Sequence, residues 1–339
     1  MGASSNIEKE QIEQALAQLK PVDFEDLAWR IFNYQFRLNP LYKSYCESLG
    51  KPPEKVSNLT DIPFLPIGFF KSASIRTGTF DPEIIFESSG TTGSIQSRHA
   101  LRNLAIYEHS FLQGFRKFYG DPEQYCILGL LPSYLEREHS SLVYMTKVLL
   151  EKSGHQEGGF FLHDLEKLVS TLLHNENNGI KTLLLGVTYA LLDFSEQFSF
   201  PLKHTLVMET GGMKGRRKEM LREEVHSLLQ DRFHIENIHS EYGMTELLSQ
   251  AFSKGNGIFH CSDSIQILIR AEDNPLDISS HRDLAGPIRG AINIIDLSNL
   301  HSCSFIATDD AGLLHPDGSF EVRGRLDHTD LRGCSLMVG

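Results

Sequence analysis

His204-Thr-Leu-Val-Met-Glu-Thr-Gly-Gly-Met-Lys-Gly215 is an apolar run closed by a glycine loop, and a charged stretch from Arg216 to Asp231 follows it. An apolar run of this length, bounded by a turn, reads as a strand buried on both faces; the amphipathic stretch after it reads as a helix. The same succession recurs on either side. Residues 125–131 form an apolar run before Pro132 and a helix from about Ser140. Residues 181–186 form another, and 235–239 lead into Ser240-Glu-Tyr-Gly-Met-Thr-Glu246. Residues 84–87 precede a Ser/Gly/Thr loop and a helical stretch through Phe118. Strands alternating with helices predict an α/β fold built on mainly parallel sheets flanked by helices.

Outside this region the pattern changes. Ser5 and Glu8 have capping-box spacing for a helix through Lys20, with Ile12, Leu16 and Leu19 on one face. A second helix is expected after Asp23, using Phe24, Leu27, Ile31 and Phe32. The apolar segment Asp61-Ile-Pro-Phe-Leu-Pro-Ile-Gly-Phe-Phe-Lys71 is interrupted by Pro63 and Pro66 and reads as an extended packed stretch. After residue 260, short β-like runs at 265–270, 291–297, 304–308 and 319–323 predict a smaller β-rich subdomain. The expected division is a helical segment over 1–60, an α/β core over 61–259, and a β-rich subdomain with a hinge-like tail over 260–339.

The bulk properties narrow the function. The chain has 339 residues, 40% hydrophobic and 22% charged, as in ordinary globular proteins. Its 32 basic and 44 acidic residues give a net charge of −12, which argues against nucleic-acid or anionic-membrane binding. The longest apolar stretch, 182–192, is too short to span a bilayer, and the N-terminus lacks a signal-peptide core. The five cysteines, Cys46, Cys126, Cys261, Cys303 and Cys334, are scattered and form no CxxC pair, which fits a reducing cytoplasm.

Ligands bind α/β sheets beyond the carboxyl ends of the strands. Three loops there carry chemistry, and a fourth element lies near the C-terminus. Glu87-Ser-Ser-Gly-Thr-Thr-Gly93 offers glycine amides and hydroxyls to a phosphate but lacks the Gly-Lys-Ser/Thr of a Walker loop, and taken alone it reads as an ordinary turn. Thr210 to Gly215 suits a close approach to an adenine or a phosphate, and equally suits a tight turn. Glu241-Tyr-Gly-Met-Thr-Glu246 combines a ring, a hydroxyl and a carboxylate that could serve a base, a phosphate and Mg²⁺; a buried tyrosine beside a solvated glutamate explains it as well. Thr308-Asp-Asp310, Asp317-Gly318 and Gly324-Arg325 set a carboxylate ahead of an arginine, as a ribose clamp requires; a polar turn explains them as well. His260-Cys261 with Asp263 matches no common zinc spacing and reads as the start of a strand.

Taken in order, these segments resemble the adenylate-forming superfamily of acyl-CoA ligases and peptide-synthetase adenylation domains. The match runs from about residue 60 to the end. A closer resemblance is to the LuxE-type acyl-protein synthetases. It is carried by 62–71, 87–93, Pro132-Ser-Tyr-Leu-Glu-Arg137 with Ser140-Ser-Leu-Val-Tyr144, 209–215, 240–247 and Gly324-Arg-Leu-Asp-His-Thr-Asp-Leu-Arg-Gly-Cys334.

The resemblance implies an adenylate-forming N-terminal-domain fold and ATP-dependent activation of a carboxylic acid, a fatty acid above all. It also implies site residues. Ser88, Ser89, Gly90, Thr91, Thr92 and Gly93 would cradle the ATP phosphates, and Gly211 and Gly212 would line the adenine. Tyr242 would stack on the base, Thr245 would touch the α-phosphate, and Glu246 would bind Mg²⁺. Asp310, chosen over Asp309 by its distance from Asp317, would hold the ribose with Arg325. Cys334 would accept the acyl group for delivery to an acyl-CoA reductase-like partner.

One departure from the superfamily is expected: no counterpart of the mobile C-terminal domain and its lysine follows the hinge-like segment. Lys214 and Arg137 are the nearest cations by motif position, and His139 reads equally as a neighbour of the carboxylate pocket and as a helix cap or surface residue. Two rival readings remain at this point. One is transfer of the acyl group directly to CoA or a carrier protein; the other is a non-catalytic nucleotide-binding subunit.

Overall fold

A computed structural model describes residues 2–89, 95–131, 139–161, 164–212, 217–218 and 220–326, with side chains from Ile7 onward. Four strands lie side by side and parallel: Cys126–Leu130, Thr182–Val187, Thr205–Thr210 and His239–Tyr242. Gly159–Phe160 extends this run on its outer edge. The first three are largely apolar runs because both faces are covered, while the fourth, His-Ser-Glu-Tyr in sequence, is buried with polar side chains. Alternation decides which face each side chain serves. Leu128, Leu184 and Val207 pack with Leu168, Leu172, Leu191 and Leu229 on one side. Ile127, Leu183, Leu185 and Met208 pack with Phe111, Phe115 and Leu149 on the other.

Beyond His239–Tyr242 the same sheet turns antiparallel. Ala251–Ser253, Ile258–Cys261, Phe320–Arg325, Phe305–Leu314, Ile288–Asp296, Ile265–Arg270 and Ile278–Ser280 follow in spatial order. The parallel arrangement expected from the sequence therefore describes 126–242, and the residues after 250 form the antiparallel extension. Leu65–Pro66 adds a short parallel pairing to Phe305–Leu314. His260 and Cys261 lie within a strand, and the described residues contain no group of three or more His, Cys, Asp or Glu able to hold a metal.

The N-terminal helices cover the antiparallel part. Helix Phe24–Leu38 presents Phe32 edge-on to Phe305 at 5.8 Å, and Tyr42 stacks on Phe305 at 6.1 Å. The buried Gln35 amide donates to the carbonyls of Asn299 (2.9 Å) and Leu300 (3.1 Å) and accepts from the Ser304 amide (2.9 Å). Full satisfaction lets a polar residue sit in that core.

Four local expectations are corrected. The first helix spans Gly2–Ala17, so Ser5 lies inside it and is not its cap. Phe69–Ser72 forms a helical turn after the extended Leu65–Pro66. Residues 98–101, expected to belong to the helical stretch after the Ser/Gly/Thr loop, are a strand that pairs antiparallel with Ile84–Glu87 as a hairpin outside the large sheet; the helix starts at Leu104, capped by Asn103. The helix expected from Arg216 begins at Arg222, where the Glu224 carboxylate accepts the Leu221 amide at 3.0 Å. Arg217 instead reaches back to Asp193 (2.7 Å) and Glu196 (2.5 Å).

Candidate active site

The parallel register aligns Val187, Thr210 and Glu241 in one row, so the segments after them leave the sheet at one edge. Gly211 and Gly212 follow Thr210 with φ of 88° and 133°. Two consecutive residues in this region suit glycine, and they turn the backbone sharply away from the strand. At Gly243 a Cβ atom would collide with the Glu241 carboxylate. That carboxylate accepts a short hydrogen bond from the Thr210 hydroxyl, which joins the two loop bases.

Beneath this edge lies a charged network. Glu209 accepts from the Thr188 hydroxyl at 2.8 Å and from Arg222 at 3.3 Å, and His226 Nε2 is 3.5 Å away. Burial works to raise the Glu209 pKa, but the His226 hydrogen bond, the Arg222 charge and the Thr188 and Ser240 hydroxyls outweigh it and hold it at about 2. A carboxylate depressed in this way contributes stability above its unfolded pKa and loses it as pH falls through about 2. Glu209→Ala removes the buried acceptor of these groups while Arg222 keeps part of its solvent contact and the Val322 carbonyl, so the cost should be about 2–3 kcal/mol, between a surface pair and a fully buried one. Urea denaturation at pH 7 measures this, and a loss under about 1 kcal/mol would assign the network no more weight than a surface pair. The penalty should shrink as pH is lowered below the unfolded value.

The sequence motifs converge above the network. Tyr242, at the end of its strand, donates its hydroxyl to Asp310 at 2.8 Å, although the two are 68 positions apart. Pairing of Asp310 with Arg325 across adjacent strands brings the guanidinium to 3.8 Å from the same carboxylate. Burial raises the Asp310 pKa, while Tyr242 and Arg325 pull it back. The Tyr242 ring is held edge-on by Phe259 (5.9 Å) and Phe320 (5.5 Å) and is only 8% exposed. Its visible task is to fix Asp310; any contact with a base uses the small part of the ring left open.

Glu246 is 6% exposed. Burial raises its pKa, opposed by a hydrogen bond from Ser97 and by the charges of Lys71 and Arg325. Its backbone carbonyl accepts from the Asn299 amide at 2.8 Å. The carbonyl of its neighbour Thr245 meets His99 Nδ1 at 2.9 Å. Mg²⁺ carried by a nucleotide asks a protein for one or two carboxylates and takes its other ligands from phosphate and water. Glu246 fits that demand: it is a single carboxylate whose charged form is disfavoured by burial and would be restored by a cation.

The Ser88 hydroxyl accepts from the Ser97 amide at 2.9 Å, and the Ser88 amide donates to the Ser97 carbonyl at 3.0 Å. These bonds tie together the two ends of the loop expected to hold phosphate. Ser89 is exposed. Gly90, Thr91, Thr92, Gly93, Arg137, Lys214 and Cys334 lie outside the described residues. The exposed His139 contributes its carbonyl, which accepts from the Glu87 amide at 2.9 Å.

Lys71 and His99 escaped sequence reasoning as site residues. Lys71 closes the Pro-interrupted segment, where an apolar pattern draws attention to packing. His99 sits in a four-residue strand with no motif of its own.

No family model matches the chain. The chain is 26% identical over 332 residues to a long-chain-fatty-acid–luciferin-component ligase from Vibrio harveyi, covering 91% of this chain and 85% of the relative. Its fold is similar to a solved 2-hydroxyisobutyryl-CoA ligase in complex with 2-HIB-AMP and CoA, with a TM-score of 0.60, 14% identity, and 93% and 71% of the two chains covered. It is also similar to ATP-bound MatB from Rhodopseudomonas palustris, with a TM-score of 0.53, 16% identity and 84% coverage, although it spans only 56% of that chain. The similarity over most of both lengths bears out the resemblance to LuxE-type acyl-protein synthetases, and the solved structures bear out the adenylate-forming ligase fold.

Proposed function

We propose that this protein is an ATP-dependent ligase that activates a carboxylic acid, a long-chain fatty acid by its similarity to the Vibrio harveyi ligase, as acyl-AMP and then passes the acyl group to a thiol. The observation that carries the proposal is the meeting of Tyr242, Asp310, Arg325 and Glu246 at the carboxyl edge of the parallel strands. In this reading the substrate carboxylate oxygen attacks the α-phosphorus of ATP, the bond to the β-phosphate oxygen breaks, and pyrophosphate leaves. Asp310, held by Tyr242 and Arg325, is placed to receive the ribose hydroxyls. Gly211 and Gly212 give the adenine a close backbone surface, beside the open part of Tyr242. Ser88 and Ser89 begin the loop assigned to the phosphates, which continues through Gly90, Thr91, Thr92 and Gly93. Thr245 faces the α-phosphate.

Glu246 would hold Mg²⁺, which when bound neutralises developing charge on the phosphates. Lys71 and Arg325 supply positive charge facing the same carboxylate. The acyl group then passes from AMP to the Cys334 sulfur, with AMP as the leaving group, and from there to a reductase-like partner.

Carboxylate-dependent exchange of pyrophosphate into ATP tests the first step. Exchange is expected with octanoate, dodecanoate or hexadecanoate. No exchange across those acids and a panel of short-chain and aromatic acids overturns the reading. No helix of the described residues is long and apolar enough to cross a membrane.

A further inference from the structure

The two loops of the candidate site are joined by one arm of the small hairpin. Strand Arg98–Leu101 follows directly on the loop that Ser88 and Ser97 close. Ser97 hydrogen-bonds Glu246, and two residues on, along the same face, His99 meets the Thr245 carbonyl. His99 is 1% exposed. Its ring packs edge-on against Phe70 at 5.5 Å, next to Lys71.

The chemistry of its neighbours fixes its tautomer. A carbonyl can only accept, so the nitrogen facing Thr245 carries the hydrogen. Nε2, 2.9 Å from the Ser302 hydroxyl, is then the acceptor. Burial pushes the His99 pKa down to about 4, only partly offset by the Thr245 bond, which keeps the ring neutral in this arrangement. Ser302 belongs to the turn that also holds the rest of the motif. Asn299 donates to the Glu246 carbonyl, and Asp296 accepts from the amides of Leu248 (2.7 Å) and Ser249 (3.0 Å).

We propose that His99, as the Nδ1–H tautomer set by the Thr245 carbonyl and anchored at Nε2 by Ser302, is a positioning residue that locks the Thr245–Glu246 peptide against the phosphate loop for the adenylation step. The proposal rests on the adenylating reading of the site. His99 touches no substrate. It acts by fixing the carbonyl of Thr245, and so the direction in which the Thr245 hydroxyl and the Glu246 carboxylate leave the chain. Displacement of such groups by about 1 Å costs on the order of 10²-fold in rate.

Two substitutions separate this role from simple packing. His99→Asn places an amide where Nδ1 stood and can still donate to Thr245. His99→Gln places its amide nearer the Nε2 position, toward Ser302. In pyrophosphate exchange with dodecanoate, kcat should fall roughly 10- to 100-fold in H99Q and recover to within about threefold of wild type in H99N. The KM for ATP should move less than kcat in both. Equal losses in the two variants with matched melting temperatures, or no loss in either, overturn the proposal while wild-type exchange keeps the functional reading intact. No exchange by the wild type overturns both. Should the His99 variants fail to fold, Ser302→Ala serves in their place. It removes the hydroxyl that anchors Nε2, so the ring is held at Nδ1 alone, and should lower kcat several-fold with little change in melting temperature; an unchanged kcat overturns the proposal.

Discussion

Replacing Glu246 by glutamine is expected to lower carboxylate-dependent pyrophosphate exchange roughly 10²- to 10³-fold, the scale of losing one preorganised electrostatic group. The fold should not suffer. Glutamine keeps the volume of the side chain and can keep the Ser97 contact, while the Asn299 bond goes to the backbone carbonyl and is untouched. The sign of the pKa shift adds a second expectation. Burial raises the Glu246 pKa above its unfolded value, so at neutral pH its charge opposes folding. Removing that charge should leave the melting temperature unchanged or higher, as expected where a residue is retained for function at a cost in stability. Thermal unfolding without nucleotide, set beside exchange assays at several Mg²⁺ concentrations, reads both. Exchange within about threefold of wild type would remove Glu246 from the metal site. A large drop in melting temperature would recast it as structural.

The buried strands were readable because Val, Leu, Ile and Met runs carry their own evidence. Leu128, Leu184 and Val207 each sit in a run that only a doubly covered strand explains. The glycine loop at 211–212 was readable for a related reason: the turn that needs a positive φ selects the residue. The partnership of Tyr242 with Asp310 was not readable in the same way, because no local pattern records a bond across 68 positions. The motifs named both residues, and the register of Phe305–Leu314 with Phe320–Arg325 explains why Arg325 joins them. His99 is the harder case. Arg98-His-Ala-Leu101 is too short to show a period, and the bonds of His99 reach 146 positions to Thr245 and 203 to Ser302. Lys71 was hidden by the apolar residues before it. Its charge acts on Glu246 from far away in the chain, which no local pattern records. The late start of the helix at Arg222 was missed because Arg216-Arg-Lys218 continues a polar helical pattern, while Arg217 spends its charge on the neighbouring helix Thr188–Gln197.

Replacing Cys334 by serine should abolish a covalent acyl adduct while leaving pyrophosphate exchange near the wild-type rate. The structure sharpens this beyond the motif. Cys46, Cys126 and Cys303 are buried, and Cys261 is partly so. Burial pushes Cys46 and Cys261 up to about 12 and raises Cys126 and Cys303 as well. The nucleophile in thioester formation is the thiolate, so these four sulfurs are disfavoured as acyl acceptors at neutral pH. Of the five cysteines in the sequence, that leaves Cys334. In the proposed step, attack by its sulfur on the acyl-AMP carbonyl would form the thioester, break the bond to the phosphate oxygen and release the thiol proton to solvent. Intact-protein mass spectrometry after incubation with ATP, Mg²⁺ and dodecanoate should show one added acyl group, removable by neutral hydroxylamine as a thioester is. The adduct should be missing from C334S, whose exchange activity stays within about threefold of wild type because adenylation precedes the thiol step. A hydroxylamine-labile adduct that persists in C334S would move the acceptor to another cysteine. Exchange without any adduct in the wild type would instead direct the acyl group to an external thiol, and adding CoA to the same incubation would then reveal the thioester in solution.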